Sequence, residues 1–145
     1  MFVDALKLEE NAILPTYGSD EAAGADLYAC LEEPVEIKAG KTCLIRTGIA
    51  MAIPVGCVGL IYARSGLATK RGLAPANKVG VIDSDYRGEI LVALHNHSNE
   101  DEIIEPGERI AQIVITPFYR VQWTEALELS DTERGAGGFG STGDK

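Results

Sequence analysis

Short apolar segments separated by closely spaced turn signals dominate this 145-residue chain. Stretches rich in β-branched and apolar residues cover 42–53, 58–62, 89–95 and 109–115. Turn-forming residues interrupt them, as in 38–40, 54–56, 83–85 and 105–107. Strands at this spacing predict an all-β sandwich or jelly roll. Glycines and alanines inside the strands leave a thin core, which favours covering apolar faces with further copies of the chain.

One internal segment, Ser65 to Gly72, predicts a short helix. Ser65 is a residue type that caps helix starts, and Gly72 is one that ends helices. A helix that begins directly after Arg64 directs free backbone N–H groups toward an anion bound by that guanidinium. The sequence therefore predicts an anion site at this helix start.

Charge and composition narrow the choice of partners. The net charge is −9, which argues against binding of a nucleic-acid polymer. No apolar run reaches the length of about 20 residues needed to cross a bilayer, so no membrane partner is expected. The N-terminus lacks the features of a signal peptide, and we expect a cytoplasmic location. The three cysteines fit neither a disulfide framework nor a zinc motif, which favours reduced thiols.

The C-terminal residues 130–145 form a glycine-rich arm, and residues 1–129 are predicted to form the single folded domain. The arm carries one guanidinium, one aromatic ring and two hydroxyl groups, which suit the phosphates and base of a nucleotide. A glycine-rich terminus without a role remains the alternative. We predict a flexible arm that closes over the site.

The segment from Asn77 to Gly88 concentrates polar chemistry and is predicted to form a hairpin. Asp83 is a candidate general base that activates a water for attack on phosphorus. Tyr86 is placed to pack beneath a sugar, where it excludes a 2′-hydroxyl. Two alternatives stay open: a simple turn at 83–85, or a metal pair formed by Asp83 and Asp85.

Five segments in order resemble the trimeric dUTP diphosphatase (dUTPase) family: 23–29, 64–66, 80–88, 107–112 and 134–143. They span nearly the whole chain. The resemblance implies a distorted jelly-roll fold, assembly as a homotrimer with shared active sites, and hydrolysis of dUTP to dUMP and pyrophosphate by water attack at the α-phosphorus. It also implies a role in supplying dUMP for thymidylate synthesis and in keeping uracil out of DNA. Ala63 departs from the family, many members of which have proline there.

The resemblance also implies roles for individual residues. Asp83 matches the catalytic aspartate, and Tyr86 the ring that excludes ribose. The uracil and deoxyribose pocket matches Asn77, Gly80, Val81 and Ile82. In the folded domain, the residues that match the family's phosphate-binding groups are Arg64, Ser65, Gly66 and Gln112. In the arm, those that match the γ-phosphate clamp are Arg134, Ser141 and Thr142. Phe139 and Gly140 match the arm residues that close over uracil. Mg²⁺ is the implied cofactor, held mainly by the substrate phosphates and, through water, by Asp26.

Two other functions compete with this one. A dCTP-deaminase-like relative would need a glutamate near the base, but Leu67 and Ala68 follow the Arg64–Gly66 segment. A module that only binds a nucleotide would not need Asp83. His95 and His97 share a strand face, and we interpret them as surface or subunit-contact residues because two histidines do not complete a metal site.

Overall fold

The computed structural model describes residues 1–138 and shows an all-β chain with one short helix, as predicted. The helix α1 is Ser65–Arg71. The strands are β1 (Asp4–Lys7), β2 (Thr16–Tyr17), β3 (Ala25–Tyr28), β4 (Val35–Ile37), β5 (Thr42–Arg46), β6 (Ile49–Ala52), β7 (Cys57–Tyr62), β8 (Leu73–Pro75), β9 (Gly80–Ile82), β10 (Leu91–Asn96), β11 (Glu102–Ile104) and β12 (Arg109–Pro117).

Every strand pairing in the described part of the chain is antiparallel. The largest sheet has five strands in the order β2-β3-β12-β7-β9, and a second has three in the order β5-β10-β8. The remaining strands pair as β1-β6 and β11-β4. Strand β12 lies at the centre of the large sheet, where its buried Ile110, Ala111 and Ile113 join the core. Burial of such aliphatic side chains drives the sheets together.

The stretch 42–53, predicted as one strand, is two strands. Gly48 has φ of 65°, a left-handed conformation that breaks the extended backbone between β5 and β6. A Cβ atom at this position would lie 2.7 Å from both the Ala12 Cβ and the Cys30 Sγ. Only glycine fits this corner without displacing the core, so the prediction of a continuous strand was wrong.

Helix α1 has the predicted extent, but its start differs from the prediction. Arg64, with extended backbone, occupies the N-cap position and makes no side-chain capping bond. Ser65 is therefore the first helical residue, and its predicted capping role is wrong. The predicted ending is confirmed, because Gly72 adopts φ of 66° and its N–H donates to the carbonyls of Leu67 and Ala68.

The segment from Asn77 to Gly88 is not a hydrogen-bonded hairpin. Strand β9 pairs with β7, whereas β10 pairs with β5 and β8. The residues between β9 and β10 therefore connect two sheets. The prediction of a hairpin was wrong because β9 pairs with β7 and residues 83–88 form no strand that could pair with it, which sequence pattern does not report.

Residues 118–138 form no helix or strand, and most are exposed. Tyr119 and Trp123 are 97% and 92% exposed within this chain. The boundary between a domain at 1–129 and an arm at 130–145 stays a prediction.

All three cysteines are free. The single described helix is too short to cross a membrane.

Candidate functional site

Residues around the β9–β10 connection line an open pocket of about 250 Å³, here named the Asp83 pocket. Its lining residues are Val81, Ile82, Asp83, Tyr86, Glu89 and Leu91. The pocket combines apolar side chains with a carboxylate and a phenol. This mixture suits a small, partly flat molecule with a few polar groups.

Asp83 directly follows β9 and lies at the mouth of this pocket. Its carbonyl accepts a hydrogen bond from the Tyr86 N–H at 3.2 Å, so residues 83–86 form a turn. A simple turn at 83–85 was one of the two alternatives that the sequence left open. The Asp83 side chain is exposed and makes no hydrogen bond or ion pair with any of residues 1–138. The turn and a catalytic role are therefore compatible, because the turn uses the backbone and leaves the carboxylate oxygens free.

Tyr86 is held over the backbone of the next residues. Its hydroxyl donates to the Glu89 carbonyl at 2.9 Å. A Cβ atom on Gly88 would overlap the phenol ring, with the ring Cζ at 2.6 Å. The absent side chain of Gly88 is what lets the ring lie this close.

Strand β9 offers its backbone to the same side of the molecule. Within residues 1–138 it has a partner strand, β7, along one edge only. Val81 on this strand is 61% exposed. Asn77 and Lys78 form the turn before β9, and Lys78 has φ of 65° there. The open edge presents N–H and C=O groups to a planar ligand.

A second group of polar side chains, the Arg64 cluster, lies on the inner strands β3 and β12 of the large sheet and directly after β7: Asp26, Arg64, Arg109 and Gln112. Asp26 on β3 is only 9% exposed. Its Oδ1 accepts from Arg64 Nε at 2.7 Å, and its Oδ2 accepts from Arg109 Nη1 at 3.3 Å. Two guanidinium groups against one carboxylate leave this cluster with a net positive charge.

Gln112 connects three segments of the Arg64 cluster. On β12 it lies opposite Asp26 of β3 on one side and Tyr62 of β7 on the other. Its Nε2 donates to the Ala63 carbonyl at 2.8 Å, which fixes the backbone just before Arg64. A Cβ atom on Gly24 would collide with the Gln112 amide, so this glycine makes room for it.

The strand register places the two groups far apart within one chain. Asp26 and Tyr62 lie level with Gln112, whereas Asp83 follows Ile82, which lies opposite Gly59. Asp26 and Asp83 are thus separated by three strand spacings sideways and four residues lengthwise, or about 20 Å. The structure does not bring Arg64 to Asp83 within a single chain.

The arm is described only in part. Arg134 donates from Nε to the Gly137 carbonyl at 2.9 Å and makes no hydrogen bond or ion pair with the Asp83 pocket or the Arg64 cluster. The predicted residues Phe139, Gly140, Ser141 and Thr142 lie outside the described residues.

Sequence reasoning missed two residues that the structure adds. Arg109 lies within the 107–112 segment, and its cationic side chain next to Gln112 was the available signal. Glu89 was not singled out, because its role depends on Arg46 and Gly48, both more than 40 positions away in the chain. A sequence pattern carries no sign of that contact.

Other polar groups have structural partners. Arg71 at the end of α1 pairs with Glu102 at 2.6 Å and Glu108 at 2.5 Å and also donates to the Ile103 carbonyl.

His95 and His97 lie edge to face with ring centroids 4.4 Å apart. Partial desolvation, together with the charge of nearby Lys78, lowers the pKa of His97. Within residues 1–138, no three His, Cys, Asp or Glu side chains are grouped to hold a metal ion.

Comparison with known proteins identifies a single family. The dUTPase family model matches residues 10–143. The deoxyuridine 5′-triphosphate nucleotidohydrolase of Syntrophotalea carbinolica is 48% identical over 137 residues, which cover 94% of this chain and 93% of that protein. The enzyme of the same name from Rickettsia akari is 51% identical over 138 residues, with the same coverage of 94% and 93%.

A solved structure shares the whole fold. A mutant of the Staphylococcus bacteriophage 80alpha dUTPase with dUpNHpp has a TM-score of 0.88 and 29% sequence identity, and the match covers 98% of each chain. The all-β fold, the family model and the relatives agree, and the chain belongs to the dUTPase family.

Proposed function

We propose that this protein hydrolyses dUTP to dUMP and pyrophosphate. The observation that carries the proposal is the exposed carboxylate of Asp83, which has no partner within residues 1–138, beside Tyr86 in the Asp83 pocket of a dUTPase-family chain. The reaction supplies dUMP for thymidylate synthesis and keeps uracil out of DNA. It is also the reaction for which the relatives from Syntrophotalea carbinolica and Rickettsia akari are named.

The Asp83 pocket binds the nucleoside in this proposal. Uracil lies against the open edge of β9, where backbone groups of Gly80, Val81 and Ile82, with Asn77, read its donor and acceptor pattern. Cytosine presents a different pattern to the same edge and is disfavoured. The Tyr86 ring lies beneath the deoxyribose and leaves no room for a 2′-hydroxyl.

Asp83 acts as the general base. Its carboxylate accepts a proton from water, and the resulting hydroxide attacks the α-phosphorus while pyrophosphate leaves. General-base catalysis of this kind contributes roughly 10²- to 10⁴-fold in rate. Asp83 makes no ion pair within residues 1–138, so both of its oxygens are available for the proton.

The Arg64 cluster binds the phosphates. Arg64 supplies charge, Ser65 and Gly66 supply hydroxyl and backbone donors, and Gln112 contacts an α-phosphate oxygen or its water. In the arm, Arg134, Ser141 and Thr142 clamp the γ-phosphate, and Phe139 stacks on uracil with Gly140 beside it. The net positive charge of the cluster supports this assignment, because it is the environment a triphosphate needs in an otherwise acidic protein.

Magnesium fits this chain as a substrate-bound ion. No grouping of three protein ligands exists within residues 1–138, which suits a metal held mainly by the three phosphates. Asp26 keeps lone pairs free beyond those used by the two arginines, so its carboxylate can hold a metal-bound water. When bound, Mg²⁺ neutralises charge on the triphosphate.

The active form in this proposal is a homotrimer with shared sites. The separation of about 20 Å between Asp26 and Asp83 exceeds what one triphosphate spans when its α-phosphorus lies at Asp83. The base pocket of one copy and the Arg64 cluster of another would complete one site. The exposed apolar side chains of Tyr119, Trp123, Leu127 and Leu129 support contacts between copies. A cytoplasmic location also remains part of the proposal.

A pyrophosphate-release assay tests the proposed activity. We expect turnover of dUTP with Mg²⁺, and little turnover of dCTP, dTTP or UTP under the same conditions. Omission of Mg²⁺ should lower the dUTP rate. Purified protein that binds dUTP and leaves it intact with Mg²⁺ would instead be a nucleotide-binding module.

A further inference from the structure

Glu89 lies at the junction between the Asp83 pocket and the rest of the fold. Its backbone carbonyl accepts the Tyr86 hydroxyl at 2.9 Å. Its side chain points the other way and is only 18% exposed. One residue thus contacts the sugar-facing ring through its backbone and the β5–β6 corner through its carboxylate.

The Glu89 carboxylate is fully engaged at that corner. Its Oε1 accepts the Gly48 N–H at 2.8 Å. Arg46 Nε lies 3.1 Å from each of its two oxygens. Charge-assisted bonds of this kind hold a side chain in one position more firmly than neutral ones.

Arg46 is itself fixed from the other side. Its Nη2 donates to Glu9 at 2.9 Å, which leaves the guanidinium between two carboxylates. The hydrogen bonds to Glu9 and Glu89 raise the pKa of Arg46. The series Glu9, Arg46, Glu89 and Tyr86 therefore connects the N-terminal part of the chain to the ring.

The β5–β6 corner is a rigid support for this series. Thr47, 1% exposed, donates from Oγ1 to the Ile90 carbonyl at 2.7 Å. The Ile90 N–H donates to the Ile49 carbonyl at 2.8 Å. The left-handed Gly48 is closely packed against Ala12 and Cys30. Residues 46–49 and 89–90 are thus held together at several points.

We propose that Glu89 is a specificity-determining positioning residue. Its carboxylate, bonded to Arg46 and Gly48, fixes its backbone, and its backbone carbonyl holds the Tyr86 ring against Gly88. The position of the ring in turn sets the discrimination against ribonucleotides. This inference rests on the proposed dUTP hydrolysis. The ring excludes a 2′-hydroxyl only where it occupies that space, and a displacement of about 1 Å is enough to change rates at a site of this kind. Tyr86 is 42% exposed, so the pocket walls alone do not fix it.

The test compares Glu89→Gln with a matched control. Glu102→Gln makes the same change in a carboxylate of similar exposure, 20% against 18%, that also pairs with an arginine but lies away from Tyr86. Steady-state kinetics with dUTP and UTP give kcat/KM for each variant. We expect Glu89→Gln to lower the dUTP-to-UTP ratio of kcat/KM by about tenfold, through faster use of UTP, while kcat for dUTP changes less than about threefold.

The control is expected to keep the wild-type ratio. A folded Glu89→Gln protein with an unchanged ratio, or an equal fall in Glu102→Gln, overturns the inference. If Glu89→Gln does not fold, Arg46→Gln removes the same ion pair and leaves Glu89 in place. It is expected to change the ratio in the same direction, and an unchanged ratio would count equally against the proposal.

A spectroscopic measurement separates this inference from the proposed activity. The chain has five tyrosines, so 3-fluorotyrosine labelling gives five ¹⁹F resonances, and Tyr86→Phe assigns the one of interest. That resonance should shift or broaden in Glu89→Gln and stay unchanged in Glu102→Gln. Wild-type protein that does not hydrolyse dUTP overturns the proposed function, whereas an unmoved Tyr86 resonance in Glu89→Gln overturns the positioning role.

Discussion

Two aspartates of the candidate site have opposite surroundings. Asp26 is 9% exposed, and both of its oxygens accept from arginines. Asp83 is exposed, and its carboxylate has no partner among residues 1–138. A general base needs an oxygen free to accept a proton. The role proposed for Asp26, holding the arginines and a metal-bound water, needs hydrogen-bond acceptors and no proton transfer. The partners of each carboxylate, more than its residue type, separate the two roles.

Asp83→Asn tests the first role. We expect kcat for dUTP to fall by at least about 100-fold, because the amide cannot accept the proton of the attacking water. The affinity for dUTP should change little, since the amide is nearly isosteric. Single-turnover assays give the rate, and calorimetric titration with a non-hydrolysable analogue gives the affinity. A variant with ordinary turnover would remove Asp83 from the mechanism.

His97 makes a pH-dependent contribution to stability. Its folded-state pKa is lowered by desolvation, by Lys78 and by His95, so the unfolded chain takes up its proton more readily. The free energy of unfolding should therefore fall as pH drops through about 6.5, the usual value for histidine, and recover above it. Urea unfolding at several pH values measures this, and His97→Asn should weaken the dependence.

The Lys78→Gln variant checks the cause of that shift. Removing the positive charge should raise the pKa of His97, which an NMR titration follows directly because the chain has only two histidines. A His97 pKa at or above the usual value in the unmodified protein would contradict this account.

At the scale of elements, helix α1 depends on contacts at its far end. Arg71 ties its last turn to β11 and to the turn before β12 through Glu102, Ile103 and Glu108. Burial alone would lower the pKa of Arg71, but the bonds and charges of the two glutamates outweigh it and the pKa is raised.

Arg71→Met should destabilise the protein by about 2 kcal/mol, because two partly buried carboxylates lose their common partner. The midpoint of urea unfolding measures this. A double substitution, Arg71→Met with Glu102→Gln, should recover part of the loss, since one carboxylate is then no longer left unpaired. Equal stabilities of the wild type and Arg71→Met would show that the ion pairs of Arg71 with Glu102 and Glu108 contribute nothing to the free energy of unfolding.

At the scale of the whole molecule, the two halves of the candidate site lie apart on the large sheet, one at an edge strand and one on inner strands. The Asp83 pocket follows β9, and the Arg64 cluster lies where β3, β12 and β7 meet. Within a single chain, this register holds the proposed base pocket and the proposed phosphate site about 20 Å apart, farther than one triphosphate spans. Assembly is therefore part of the proposed mechanism, in addition to any effect on stability.

Mixing two inactive variants tests shared sites. Asp83→Asn and Arg64→Ala should each lose activity alone. If one copy supplies Asp83 and another Arg64, subunits mixed in equal amounts and reassembled should regain about a quarter of the wild-type sites. The dUTPase rate after co-refolding measures this recovery. No recovery, in assemblies shown by mass spectrometry to be mixed, would place each complete site within one chain.

The sequence pattern predicted what depends on local chemistry. Apolar segments between turn residues predicted an all-β chain, and Gly72 predicted the end of α1, because turn and cap preferences are properties of a few neighbouring residues. The resemblance of five segments predicted the family, which the family model and relatives confirm. The individual site residues stay predictions.

Long-range pairing was decided by the tertiary structure alone. The sequence did not show that β9 pairs with β7 instead of with the strand that follows it, β10. It also did not show that Gly48 divides the stretch 42–53 into two strands, or that Glu89 forms an ion pair with Arg46. Each outcome depends on which distant surfaces pack together once the core closes, and that competition is absent from local preferences. Residue chemistry named the groups able to bind a nucleotide, and only the strand register showed that one chain holds them about 20 Å apart.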